Sequence, residues 1–218
     1  MLVTRRYAVT AVAASALTTG APWVNPRVIP GVPSEARAAP AQPGAPAPAF
    51  TGTDTKGVQH ALAAYRGKTV VLEWTNHECP YTVKHYATGN MQALQNAATG
   101  SGAIWLTVVS SRPGTQGYVD ADAADGLTAS RSAKPSAVLL DPAGQIGRLY
   151  DARTTPHMFV IDGAGTLVYM GAIDDRPTAS HASVRGARNY VREALDALAA
   201  GRPIAVASTR PYGCSVKY

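Results

Sequence analysis

Lys68–His85 reads KTVVLEWTNHECPYTVKH, and the pattern of the chain changes part-way along it. Thr69 to Leu72 is a short, largely β-branched apolar run, as expected of a strand buried on both faces. It leads through Trp74 into a polar turn that ends at Cys79-Pro80, where an amphipathic helical pattern begins. Proline is tolerated at the first helical position because its missing N–H would have no partner there, which makes Cys79 the N-cap residue. Unpaired backbone N–H groups and the positive end of the helix dipole favour a thiolate at such a position. The thiolate is the reactive form, so the stretch predicts a strand, a turn and a helix that together present Cys79 as a redox nucleophile.

Downstream, Val83, Tyr86, Met91 and Leu94 keep near-helical spacing, and Gly89-Asn90 is expected to kink the helix or divide it in two. Ala103–Ser110 predicts a second buried strand. A helix within Asp120–Ser130, a strand over Ser136–Leu140 and a short helix over Ile146–Tyr150 follow. After Thr154-Thr155-Pro156, His157–Ile161 and Thr166–Met170 form an antiparallel pair around the tight turn Asp162-Gly163-Ala164-Gly165. Residues 172–186, with Asp174, Asp175 and His181, read as a polar loop. A last helix over Ala187–Ala200 places Tyr190, Val191, Ala194, Leu195 and Leu198 on one face. Upstream, Phe50 to Lys68 reads as a turn-rich lead-in hugging the first main strand. Strands alternating with helices predict an α/β fold: a central mixed sheet flanked by helices, with a terminal β-hairpin and then a C-terminal helix.

The chain has 218 residues, enough for one domain of roughly 150 residues plus extensions. Its net charge of +6 is unevenly placed. Residues 1–38 hold Arg5, Arg6, Arg27 and Arg37 against the single Glu35, and the remainder carries 16 basic and 13 acidic residues, a net +3. No basic block tracks one face and aromatics are not interleaved with basic residues, so nucleic acid is not an expected partner. Thr4-Arg5-Arg6-Tyr7-Ala8-Val9 ahead of a moderately apolar run resembles a bacterial twin-arginine export signal, which predicts a periplasmic or extracellular protein. The run is too short to span a bilayer, which takes about 20 mostly apolar residues, and no cysteine stands near it, so no stable membrane anchor is expected. Ala36-Arg37-Ala38 suits a signal peptidase. Residues 39–49, APAQPGAPAPA, read as an extended linker, with a domain over 50–200 and a tail over 201–218 that carries Cys214, the only other cysteine.

The order of strand, Trp-containing turn, Cys-Pro helix start, later Thr-Pro and hairpin, and final helix resembles the thioredoxin superfamily. More narrowly it resembles the redoxin, or alkyl hydroperoxide reductase/thiol-specific antioxidant, type. Phe50, Asp54, Gly57, Tyr65-Arg66-Gly67-Lys68, Asp141 to Tyr150, Thr155-Pro156, Phe159-Val160-Ile161-Asp162 and Gly165 carry the likeness in order. The resemblance implies a thiol oxidoreductase without cofactor or metal, acting with a thiol reductant on a disulfide or a peroxide. It also implies a cis Pro156 beside Cys79, exposing a main-chain edge where a thiol or disulfide can align.

Three departures bear on the chemistry. Cys79-Pro80-Tyr81-Thr82 is similar to a C-P-Y-C site with Thr82 in the second cysteine's place, so no local dithiol can form. The peroxiredoxin positions three and seven before the cysteine hold Asn76 and Leu72, with Thr75 and Arg153 close but out of register. Thr75 also replaces the first cysteine of the C-x-x-x-C-P copper-delivery site, leaving Cys79, His77 and His157 as the alternative ligands of soft-metal type. Lys84 or a protonated His85 would lower the Cys79 pKa, and Glu78 would raise it. Trp74 either shields the thiol or belongs to the core. Cys214 either resolves an oxidised Cys79, or forms a permanent staple with it, or pairs with another chain; a non-catalytic binding domain stays open beside these.

Overall fold

The computed structural model describes residues 40–218. The strands β1 (Thr51–Asp54), β2 (Gln59–Ala61), β3 (Val70–Trp74), β4 (Ile104–Val109), β5 (Ala137–Leu140), β7 (His157–Ile161) and β8 (Leu167–Gly171) form one sheet, with the two-residue β6 (Thr154–Thr155) preceding β7. The sheet order is β2-β1-β5-β4-β3-β7-β8. β3 runs parallel to β4, and β4 to β5, while β7 and β8 are antiparallel additions on the other side of β3. This is the expected mixed sheet. β3 sits between β4 and β7, and all five of its residues are buried.

Because side chains alternate across a strand, β3 divides two cores. Val70, Leu72 and Trp74 enter one with Leu106, Val108, Phe159, Ile161 and Tyr150. Val71 enters the other with Trp105, Met158, Val160 and side chains of the helices α1 (Pro80–Ala87), α2 (Asn90–Gly100) and α5 (Tyr190–Ala199). The helix α3 (Ala121–Ser130) packs through Ala124 on Val109 and Val138, and α4 (Gln145–Leu149) buries Ile146 in the first core. Gly89 divides α1 from α2 as expected, in the left-handed region at φ 73°. Asp120 caps α3 through a hydrogen bond from the Ala123 N–H.

Three stretches depart from the sequence reading. The lead-in after Phe50 is a hairpin, β1–β2, and it pairs with β5 at the far side of the sheet rather than hugging β3. Its strands are too short and too polar to show a period. The Pro/Ala tract lies along the β7–β8 hairpin: Gly44 N donates to Leu167 O at 2.8 Å, Ala47 N to Gly165 O, and Leu167 N to Ala45 O. Residues 207–209 cover the same strand further along, with Met170 N on Ala207 O and Thr209 N on Met170 O. These two segments occupy a backbone edge that would otherwise stand open. The tail then continues into a short strand, β9 (Cys214–Ser215), which pairs antiparallel with β6. The export signal predicted over residues 1–38 lies outside the described residues. Among those described, no helix is long and apolar enough to cross a membrane.

Candidate active site

Cys79 is the N-cap of α1, in extended backbone, with Pro80 at the first helical position. Its carbonyl accepts the Thr82 and Val83 N–H groups, each at 2.9 Å, so the helix starts where the sequence places it. The thiol itself is fully buried. As a thiol it donates to the Thr155 carbonyl at 2.9 Å. The Thr155–Pro156 peptide bond is cis, and β6, immediately before it, is the edge that faces the sulfur.

The other side of Cys79 is closed by the tail. Thr155 and Cys214 are register partners in the β6–β9 pair, and the Cys214 N–H points at the Cys79 sulfur at 3.4 Å. Both cysteines are free thiols. Burial pushes the Cys79 pKa up, but hydrogen bonds from the Cys214 thiol, the Cys214 and Thr82 N–H groups and Thr155 outweigh it and leave the pKa below the ordinary thiol value. Cys214 goes the other way. Burial, its hydrogen bond to Cys79 and the Cys79 charge push it up to about 11. The pair is thus polarised, with Cys79 the more acidic thiol and Cys214 the less acidic.

Thr82, which stands where a second cysteine would be, is buried, and its hydroxyl has no hydrogen-bond partner. Its contribution to the site is the backbone N–H. Glu78 accepts the Gly117 N–H at 2.6 Å, and its own N–H is held by Asn76 Oδ1. Trp74 is core, packed on Tyr150 and Phe159 at ring separations of 5.6 and 5.1 Å, with its Nε1 on Ser110 Oγ.

Lys84 and His85 are fully buried, and their polar ends meet Asp174 of the 172–189 loop. Lys84 Nζ lies 3.7 Å and His85 Nε2 3.9 Å from Asp174 Oδ2. Tyr212, two residues before Cys214, donates its hydroxyl to Asp174 Oδ1, places its ring 4.9 Å from Lys84 Nζ and stacks edge-on against Tyr81. Burial and the neighbouring Lys84 charge drive His85 down to about 3, so its ring is neutral and supplies no positive charge to lower the Cys79 pKa. His157 is likewise driven down to about 3, chiefly by burial, and only its Nδ1 has a partner, the Arg153 N–H. Cys79, His77 and His157 do not assemble: among the described residues no group of three His, Cys, Asp or Glu side chains is placed to hold a metal.

Sequence reasoning missed Glu73. It lies on the face of β3 opposite Trp74, fully buried, and accepts hydrogen bonds from Tyr86, Gln95, Trp105 and Thr107 at 2.7 to 3.2 Å. Its one signal was a carboxylate inside an apolar run. Tyr212 and Asp174 had no local signal, because their meeting depends on where the tail lands.

A mixed sheet with a buried, acidified cysteine at a helix N-cap, set against a cis-proline edge, defines a thioredoxin-like thiol oxidoreductase. The chain belongs to the AhpC/TSA family, whose profile matches residues 43–170. Many solved structures share its fold, these three among them. A hypothetical protein of Sinorhizobium meliloti is 21% identical, covering 83% of this chain and 96% of its own, at a TM-score of 0.67. An uncharacterized conserved protein of Geobacillus kaustophilus is 24% identical, with coverages of 81% and 92% and a TM-score of 0.65. A candidate protein disulfide isomerase of Bacteroides thetaiotaomicron is 19% identical, covering 73% and 91%, at 0.53. No curated protein matches the chain.

Proposed function

We propose that this chain is an exported thiol–disulfide oxidoreductase in which Cys79 is the nucleophile and Cys214 the resolving thiol. The observation that carries this reading is the juxtaposition of the two cysteines across the β6–β9 pair, with the Cys214 N–H directed at the Cys79 sulfur. The Cys79 thiolate attacks a substrate disulfide R–S–S–R′, forming Cys79–S–S–R and expelling R′–S⁻, which takes the proton that Cys214 gives up. The Cys214 thiolate then attacks the Cys79 sulfur; the Cys79–Cys214 disulfide forms and R–S⁻ leaves, protonated by solvent. Two electrons have passed from the enzyme to the substrate, and an external dithiol reductant restores both cysteines.

A disulfide fits the site better than a peroxide. Leu72 is buried in the core, Asn76 holds the Glu78 backbone, and Arg153 pairs with Asp151 at the surface, so the groups that would bind a peroxide do not converge on Cys79. The twin-arginine segment supports an oxidising destination, where such disulfides persist.

The test is intact-mass analysis after exposure to glutathione disulfide. The wild type is expected to acquire an internal disulfide, Cys214→Ser a stalled glutathione adduct on Cys79, and Cys79→Ser neither. A Cys214→Ser chain that turns over at the wild-type rate overturns the resolving role. An internal disulfide present from the start and resistant to dithiol reductants identifies a staple.

A further inference from the structure

Cys79 has no exposed surface, and its sulfur is covered by Thr155 on one side and Cys214 on the other. Among the described residues β6 pairs only with β9, and the pairing continues outward through Val216 N on Arg153 O at 3.0 Å. A disulfide borne on a polypeptide can reach the sulfur only where that strand now lies. Whatever seats and lifts the tail therefore governs both halves of the reaction.

Two residues next to Cys214 have the right geometry for this. Gly213 has φ 141°, in the region that L side chains rarely adopt. A Cβ there would stand inside van der Waals contact of the Thr155 carbonyl, 2.8 Å from its carbon and 3.3 Å from Pro156 N. Only glycine lets the backbone come this close to the edge. Tyr212, one residue earlier, is anchored at Asp174 and packed on Lys84 and Tyr81. That anchor is incomplete: Asp174 Oδ2 is buried without a hydrogen bond, facing Lys84 and His85 only at 3.7 and 3.9 Å. An open groove runs beside the tail between Thr154, Asp174, Tyr190 and Thr209, so the strand is not enclosed on that side.

We propose that Tyr212 and Gly213 are positioning residues for the Cys214 step, seating the tail on the Thr154–Thr155 edge as an alternative occupant to the substrate's polypeptide strand. The substrate strand enters when Tyr212 leaves Asp174, and the returning tail both resolves the mixed disulfide and displaces the released thiol's strand. This rests on the Cys79–Cys214 cycle proposed above, and it predicts opposite effects on the two halves of that cycle.

In a Cys214→Ser background, alkylation of Cys79 by a bulky maleimide under native conditions reads access alone. Adding Gly213→Ala is expected to speed it about tenfold or more, because both the φ of 141° and the contact of the added Cβ with the Thr155 carbonyl disfavour the seated strand. Tyr212→Phe, which keeps the ring, is expected to move the rate in the same direction by less. In chains that retain Cys214, the same two substitutions are expected to slow conversion of a preformed Cys79–glutathione disulfide to the internal disulfide. Thermal melting followed by circular dichroism checks that each variant is folded at the assay temperature, and Tyr212→Phe carries the test if Gly213→Ala is not. Faster access together with slower resolution supports the proposal; access unchanged, or both rates moving the same way, overturns it. A wild type that never forms the internal disulfide overturns the cycle instead, while the alkylation arm still decides whether the tail covers Cys79.

Discussion

Glu73 is a carboxyl group buried within the sheet, and its burial carries an electrostatic cost. Burial raises its pKa above the ordinary 4.5, and the hydrogen bonds from Tyr86, Trp105, Thr107 and Gln95 only partly offset that rise. The unfolded chain therefore loses this proton first as pH rises, while the native chain keeps it to a higher pH. Stability from this group is fullest below about pH 4.5 and is lost as pH rises toward the elevated folded value. Glu73→Gln removes that slope, so the wild-type Tm is expected to fall relative to the variant's as pH is raised from acid, then to run parallel to it. Glu73→Leu leaves several buried donors unpaired and is expected to cost about 3–5 kcal/mol in urea unfolding. Residues of this kind are poorly legible in sequence, because a glutamate in an apolar run identifies an anomaly but not its four donors on α1, α2 and β4. Cys79 and Pro156 were legible since each is fixed by its immediate neighbours: a cysteine before a helix-starting proline, and a Thr-Pro before a hairpin.

At the scale of elements, the buried strands and the broken helix follow directly from local chemistry. Val70 to Leu72 and Ile104 to Val109 are apolar runs that suit a position covered on both faces, and Gly89 ends α1 because it takes the left-handed conformation cheaply. A Cβ at Gly89 would meet nothing within 4 Å, so the whole penalty of Gly89→Ala is conformational. Equilibrium urea unfolding is expected to register a loss of about 1–2 kcal/mol, with the maleimide reactivity of Cys79 in the folded chain unchanged. A loss well below that range would mean that α1 and α2 can join through this position without strain. The β1–β2 hairpin and β9 escaped notice for a shared reason. They are strands of two to four residues whose existence depends on a distant partner, β5 in one case and β6 in the other. Neither shows a period of its own.

Over the whole molecule, the tail is tied to regions far apart in sequence. Thr209 meets Tyr169 and Ala172, Lys217 O accepts the Arg112 N–H, and Tyr218 lies over Arg148 and donates to Ala152 O. These ties hold Cys214 beside Cys79 across a sequence separation of 135 residues. Joining the two cysteines therefore closes a very long loop, and removing that loop's freedom from the unfolded chain is worth at most about 5 kcal/mol. Thermodynamic linkage makes any such stabilisation a measure of resistance to reduction. A disulfide that stabilises the native chain by about 5 kcal/mol is about 100 mV harder to reduce there than in the unfolded chain. A staple would keep that full gain. A pair that cycles with an external dithiol reductant must give most of it up, because the reduced state is itself stabilised by the hydrogen bonds that the Cys79 sulfur makes with Thr155 and Cys214. Comparison of urea unfolding for the oxidised and reduced wild type is thus expected to show a difference well below 5 kcal/mol, with the reduced chain remaining fully folded. A difference near the full value would identify the Cys79–Cys214 bond as structural and remove Cys214 from the catalytic cycle.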